Sequence, residues 1–280
     1  MLSAGVTVAG RPPAPSLNFA VIGDTGTGEP PQFEIAKRMV EARAKEPFDF
    51  VIMLGDNIYG GGNPRYFKSR FEDPYKDLLA AGVKFYAALG NHDAASAPAH
   101  IKYEKFNMGG HRYYSFVKGD NLIEFFVLDT NVTKTAELPK EQFDWLEGAF
   151  KNSKARWKVA YFHHAIYASG KMHSPYLALR AQVEPLFVKY GVNAVFSGHF
   201  HVYERLKPQK GIQYYVAGSG GKLMAGDIDR TSSILEAAND ETQVFLMVNV
   251  DSDHMKVKAI SAAGKVIDES KISIKSAIAP

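Results

Sequence analysis

The feature that most restricts this chain is a repeated ending. Short β-rich runs stop at Gly-Asp, Gly-Asn or His-bearing turns, and helical stretches separate one run from the next. Residues 17–23 read as a buried strand, followed by a turn at 24–28 and a helix over about 31–45 with Ala36, Met39, Val40 and Ala44 as its apolar stripe. Residues 50–55 and 84–90 are further strands, with a helical segment at 64–81 between them. The runs 112–117 and 121–129 pair around Gly119-Asp120, and a helix over 139–151 puts Phe143, Leu146 and Phe150 on one face. The strand 157–162 runs straight into His163 and His164, the helix 183–190 carries Pro185 near its start, and the strand 194–197 meets Gly198-His199. Beyond these lie three antiparallel runs at 244–250, 255–260 and 265–274. The stretch 223–240 is the most loop-like of the interior, and mobility is expected there. Alternation of strand and helix predicts an α/β fold.

A chain of 280 residues suffices for one sizeable domain or two small ones. It shows no repeat and no linker, so a single domain over 17–275 is expected, preceded by a poorly ordered extension at 1–16. The absence of cysteine excludes disulfides, thiolate metal sites and cysteine nucleophiles, and leaves the compartment open. A net charge of +3 accommodates an anionic substrate but makes no basic stripe, so nucleic-acid binding is not expected. No apolar run approaches the roughly 18 residues of a membrane span. The proline-rich N-terminus lacks a basic n-region and does not read as an intact secretory signal. Oligomeric state leaves no trace in the sequence.

Five short segments carry the chemistry: Gly23-Asp24, Gly55-Asp56-Asn57-Ile58-Tyr59, Gly90-Asn91-His92-Asp93, Phe162-His163-His164 and Gly198-His199-Phe200-His201. Ligands in open α/β sheets bind beyond the carboxyl ends of strands, so these segments are expected to converge on one crevice. Where glycine precedes the polar residue, it is expected to let the backbone turn sharply. Oxygen donors and imidazoles together suit iron, zinc or manganese. A carboxylate between two such ions holds them about 3.5–4 Å apart, and the ion pair lowers the pKa of a bound water to about 7 and offsets charge on phosphoryl oxygens. Taken singly, Asp24 would be a helix cap, Tyr59 a core residue and Asn91 a turn residue. As a set they read as ligands. The run 23–28 imitates a nucleotide loop, but its glycines are spaced wrongly and it has no P-loop lysine.

In this order the segments resemble the calcineurin-like metallophosphoesterases. Tyr59, three residues after Asp56, together with Gly198-His199-Phe200-His201-Val202-Tyr203-Glu204-Arg205, narrows the resemblance to the purple acid phosphatases, over about residues 17–220. The resemblance implies a four-layer α/β/β/α sandwich of two mixed sheets with a dinuclear site at the strand C-terminal ends. It also implies a first ion, usually ferric iron, on Asp24, Asp56, Tyr59 and His201. A second, divalent iron, zinc or manganese, would sit on Asp56, Asn91, His163 and His199, with Asp56 bridging. His92 would bind phosphate and protonate the leaving group, and His173 roughly matches a further substrate-facing histidine. His164 stands where many members differ, and either touches the substrate or packs. Phe200 replaces a smaller or polar residue and is expected on the pocket wall. His100, His111 and His254 read as surface or packing residues, and Asp129 as a turn cap.

The activity implied is hydrolysis of small phosphate monoesters by a hydroxide held on the metals, with an acidic optimum and a periplasmic or secreted location. The alternative within the superfamily is a phosphodiesterase acting on cyclic nucleotides or lipid headgroups. A silent metal-binding or interaction module is the alternative from another class.

Overall fold

The computed structural model describes residues 16–131 and 137–274. Residues 1–15 of the expected extension and the expected domain end at 275 lie outside the described residues. The strands are β1 (Leu17–Ile22), β2 (Phe50–Met53), β3 (Lys84–Ala87), β4 (Tyr114–Lys118), β5 (Ile123–Val127), β6 (Trp157–His164) and β7 (Ala194–Gly198). They continue with β8 (Tyr203–Leu206), β9 (Gln213–Ala217), β10 (Leu235–Asn239), β11 (Val244–Val250), β12 (His254–Ser261) and β13 (Val266–Ser273). The helices are α1 (Pro30–Lys45), α2 (Lys76–Ala80), α3 (Ala97–His100), α4 (Lys140–Asn152) and α5 (Leu177–Tyr190).

Two mixed sheets result. One has the order β13-β12-β11-β1-β2-β3 and the other β10-β8-β9-β7-β6-β5-β4. Strands β1, β2 and β3 are mutually parallel, as are β5, β6, β7 and β9. These central strands are nearly continuous apolar runs because both of their faces are covered. By contrast, β12 alternates buried and less buried residues, and the edge strand β13 carries Asp268, Glu269 and Lys271. Phe19, Phe50, Phe125, Trp157, Phe196 and Leu246 fill the space between the sheets. Ile35 and Met39 of α1 cover the outer face of the first sheet, and Leu146, Phe150, Val183 and Phe187 of α4 and α5 cover that of the second. Four layers follow, as the resemblance implied.

Several local expectations are corrected. The buried side of α1 is Gln32, Ile35, Ala36 and Met39, and Ala44 is exposed, so the stripe lies one turn earlier than the sequence suggested. The segment 64–81 is three short pieces, a 3-10 turn, a π turn and α2, with Pro74 separating the last two. Helix α5 begins at Leu177 instead of Val183, which places Pro185 in its interior. The expected mobile stretch 223–240 is anchored. It contains β10, Asp227 accepts from the amides of Lys171 (3.0 Å) and Met172 (2.6 Å), and Asp240 accepts from Gly226 N (2.9 Å) and Arg230 (2.7 Å).

Candidate metal centre

Loops leaving the C-terminal ends of β1, β2 and β3 in one sheet, and of β6 and β7 in the other, meet over the junction between the sheets. Three of the residues they carry have left-handed backbones: Asp24 (φ 55°), Asp56 (φ 52°) and His199 (φ 71°). That conformation costs non-glycine residues about 1–2 kcal/mol and is tolerated best by Asp and Asn. The glycines before them mostly serve another purpose than the one expected. Of Gly23, Gly55, Gly90 and Gly198, Gly55 alone has a positive φ, 95°. The others are needed for space. A Cβ on Gly90 would lie 2.2 Å from Asp56 Oδ1, and one on Gly198 would lie 2.4 Å from Asp24 Oδ2.

Two clusters of donor atoms form. In one, Tyr59 Oη lies 3.1 Å and Asp24 Oδ1 lies 3.5 Å from His201 Nε2, and Asp24, Asp56 and His201 are grouped as a set able to hold a cation. In the other, Asn91 Oδ1 is 2.9 Å from His163 Nε2 and 3.2 Å from His199 Nδ1, and those two nitrogens are 3.2 Å apart. Asp56 Oδ1 lies 3.5 Å from His163 Nε2, so its carboxylate belongs to both clusters. Ligands about 2.0–2.2 Å from a common ion stand roughly 3.0–3.5 Å from one another. The donor set therefore fits a pair of cations in spacing and in chemistry.

The protonation states agree. His163 Nδ1 donates to the Leu54 carbonyl at 3.0 Å, which leaves Nε2 with its lone pair facing the cluster. Burial pushes His163 down to about 3 and His199 to about 2, the latter helped by the neighbouring His163, so both imidazoles are neutral. Burial pushes Asp24 up to about 7 against the opposing hydrogen bond from His201, and holds the Tyr59 phenol far above its ordinary value. His201 is raised: burial works against its charged form, but the hydrogen bond and charge of Asp24 outweigh it.

The other expected residues surround these clusters. His92 is half exposed at the mouth, its Nε2 3.9 Å from Asp56 Oδ2 and its ring 4.7 Å from that of Tyr59. Its amide donates to Asp56 Oδ1 at 2.9 Å. His173 is exposed and stands 5.1 Å, ring to ring, from His199. His164 is buried, with Nδ1 2.8 Å from Thr130 Oγ1 and its ring between those of Tyr176 (4.5 Å) and His199 (4.7 Å). Phe200 is fully buried in a small apolar cluster with Ala165 and Val202, not on the pocket wall, because the segment at Gly170 closes over it. His100 is buried between Phe67 and Phe106, and Asp129 caps Asn131 and pairs with Arg112 at 2.6 Å.

Some contributors carried no role in the sequence reading. Asp93 accepts from the amides of Gly90, Asn57 and Ile58 and from Asn57 Nδ2, tying the β2 and β3 loops together. Burial, with Asp56 nearby, pushes it up to about 8. Glu204 accepts from Ser169 N (2.9 Å) and Oγ (2.7 Å), and Tyr203 and Arg205 both reach Asp268 on β13. Asp93 and Glu204 sit inside motifs already singled out, so position alone could have found them. Asp268 had no such signal.

Residues 17–203 match the model of the calcineurin-like phosphoesterase family. Purple acid phosphatase 17 of Arabidopsis thaliana is 30% identical over 241 residues, covering 76% of this chain and 71% of its own. Tartrate-resistant acid phosphatase type 5 of Rattus norvegicus is 26% identical over 295 residues, covering 90% of this chain and 89% of its own. Among solved structures, GAP50, described as the anchor in the inner membrane complex of Plasmodium, superposes with a TM-score of 0.80 at 22% identity, over 94% of this chain and 90% of its own. A purple acid phosphatase from yellow lupin (Lupinus luteus) seeds gives 0.75 at 19% identity, over 93% of this chain and 54% of its own. At those identities the two superpositions speak to the fold.

Proposed function

This chain belongs to the calcineurin-like phosphoesterase family, and within it to the purple acid phosphatases, which makes it a metal-dependent phosphatase; on that premise we propose that it hydrolyses phosphate monoesters at a pair of metal ions. The reading rests on one observation: two clusters of donor atoms at ligand spacing share the single carboxylate of Asp56. Asp24, Asp56, Tyr59 and His201 would hold ferric iron. Asp56, Asn91, His163 and His199 would hold a divalent iron, zinc or manganese. When bound, the pair supplies Lewis acidity and a hydroxide nucleophile at mild pH, for in-line attack on phosphorus.

The remaining steps belong to the chain. His92, at the mouth beside Asp56, binds a phosphoryl oxygen and gives its proton to the leaving alkoxide, so the product departs as an alcohol. His173, beside His199 on the same opening, orients the phosphate. His164, fixed by Thr130, supports the His199 ring from within. Asp24, Asp56 and His163 are held by hydrogen bonds to backbone, so little reorganisation of these groups is expected during reaction.

Turnover of an aryl monoester and an aryl diester by metal-loaded protein tests the reading, and the monoester is expected to be the better substrate. His92→Ala is expected to keep both ions and to lower kcat by about 10²- to 10⁴-fold. Full activity in that variant would remove His92 from its role. A preference for the diester would favour a phosphodiesterase. Two bound ions without turnover of either ester would assign the chain a binding role, like the anchor role named for GAP50.

A further inference from the structure

The loop after β9 packs against the loops that carry Asp24 and His201 and bears a lysine that none of the roles above uses. It is Gly218-Ser219-Gly220-Gly221-Lys222, and it lies against the backbone of the loop that bears Asp24. Gly220 N donates to the Gly23 carbonyl at 3.0 Å, Lys222 N to the Asp24 carbonyl at 3.2 Å, and Met224 N to the His201 carbonyl at 3.0 Å. A Cβ on Gly220 would meet Gly23 O at 2.7 Å, and one on Gly221 would meet Thr25 O at 2.5 Å. The base of the Lys222 side chain is therefore pinned between the backbones of two loops that carry candidate ligands.

Its ammonium is exposed and lies 4.8 Å from the centroid of the Tyr59 ring, the same ring that His92 approaches at 4.7 Å. Lys222 and His92 thus both stand against the Tyr59 ring. The ammonium has no carboxylate partner in a salt bridge among the described residues. A cation resting on a ring at an exposed site is weakly held, whereas a hydrogen bond between two charged groups is among the stronger ones available. An anion arriving over the metal pair would therefore draw the ammonium to itself.

We propose that Lys222 is the anion-selecting residue of this centre: it binds a non-bridging phosphate oxygen of the substrate and favours doubly charged monoesters over singly charged diesters. The inference deepens the phosphatase reading and rests on it. A phosphomonoester carries about −1.5 to −2 charges at neutral pH, and a diester carries one. With one non-bridging oxygen on the metal pair, the monoester at neutral pH would present more negative charge on its remaining oxygens to Lys222 than the diester does on its own. The lysine is a specificity residue acting on the substrate, separate from the ligands and from the proton donor.

The test is calorimetric titration of inorganic phosphate into the metal-loaded full chain, comparing wild type, Lys222→Ala and Lys222→Arg at low and high salt. Equal melting temperatures confirm that the exposed substitution leaves the fold intact. Lys222→Ala is expected to weaken phosphate about tenfold, Lys222→Arg to retain most of the affinity, and the gap between wild type and alanine to narrow as salt rises. The ratio of monoester to diester kcat/KM should fall by a similar factor in the alanine variant, mainly through KM. An unchanged Kd, or a loss indifferent to salt and not rescued by arginine, would overturn the proposal. A wild-type protein that turns over no monoester would defeat the phosphatase reading, while the phosphate affinities would still decide whether Lys222 binds the anion.

Discussion

In the half of the centre made by Asp24, Tyr59 and His201, burial works against the charged forms of Asp24 and Tyr59 that a cation requires. In the half made by Asn91, His163 and His199, burial works for the neutral forms that a cation also requires. Asp24 is pushed up to about 7 and the Tyr59 phenol far higher, whereas His163 is pushed down to about 3 and His199 to about 2. The imidazole half is thus ready for a divalent ion at neutral pH. The oxygen half must shed protons before its donors can coordinate, and a buried phenol beside carboxylates gives up its proton only to a strongly polarising ion. The same low-polarity surroundings therefore set opposite proton requirements on the two halves.

The largest test of this contrast removes what the halves share. Asp56→Asn keeps a residue that tolerates the left-handed backbone at φ 52° while deleting the bridging charge. Both ions should be lost and turnover should fall by about 10³-fold or more, as metal analysis and an ester assay would reveal. Two ions retained in the variant would show that the halves are independent.

Tyr59→Phe acts on the oxygen half alone. With ferric iron loaded, wild-type protein should show a visible charge-transfer band, and the variant should lose it while the imidazole half keeps its ion. Turnover should fall by about 10²-fold. A band that survived in the phenylalanine variant would take Tyr59 off the metal.

The smallest effect is on metal-free stability. Asp24 and Asp93, raised to about 7 and about 8, keep protons in the folded chain that the unfolded chain has released above about pH 4. Raising pH through 7 to 8 therefore favours unfolding. His163, His164, His199 and His100 are all lowered by burial, so below about 6.5 the unfolded chain binds the extra protons and acid favours unfolding instead. The melting temperature of metal-free protein should peak near neutrality and drop by roughly a few degrees by pH 8.5. Loading with metal should flatten the alkaline arm, because an ion holds Asp24 deprotonated. A metal-free curve flat from pH 6.5 to 8.5 would contradict the charge accounting at Asp24 and Asp93.

Much of this centre could be read from sequence because its chemistry sits at strand ends. Asp24, Asp56, Asn91, His163 and His199 each follow an apolar run within a few residues, and sheets bring such ends together. What escaped was set by long-range packing. The tight approach of Gly90 to Asp56 and of Gly198 to Asp24 is invisible in a sequence, where these glycines read as turn formers although most of them make room. Asp268 meets Tyr203 and Arg205 across 63–65 residues, and nothing local marks it. The strand β10, Leu-Glu-Ala-Ala-Asn, has no β-forming pattern of its own and exists because β8 offers it an edge. Lys222 lay just beyond the stretch covered by the family motifs, in a run of glycines that reads as an ordinary turn.

The bonds that cross between the sheets have a consequence for how metal is acquired. The His199 amide reaches the Asp24 carboxylate at 3.0 Å, His163 reaches the Leu54 carbonyl, and Asp268 grips Tyr203 and Arg205 from the opposite sheet. These latches need no ion. They hold the ligand-bearing loops through protein contacts, so stripping the metal is expected to leave the chain folded. Small zinc domains work the other way, with the ion as keystone. Here the expected role of the ion is that of a tenant, joining walls that the hydrogen bonds between the sheets already brace.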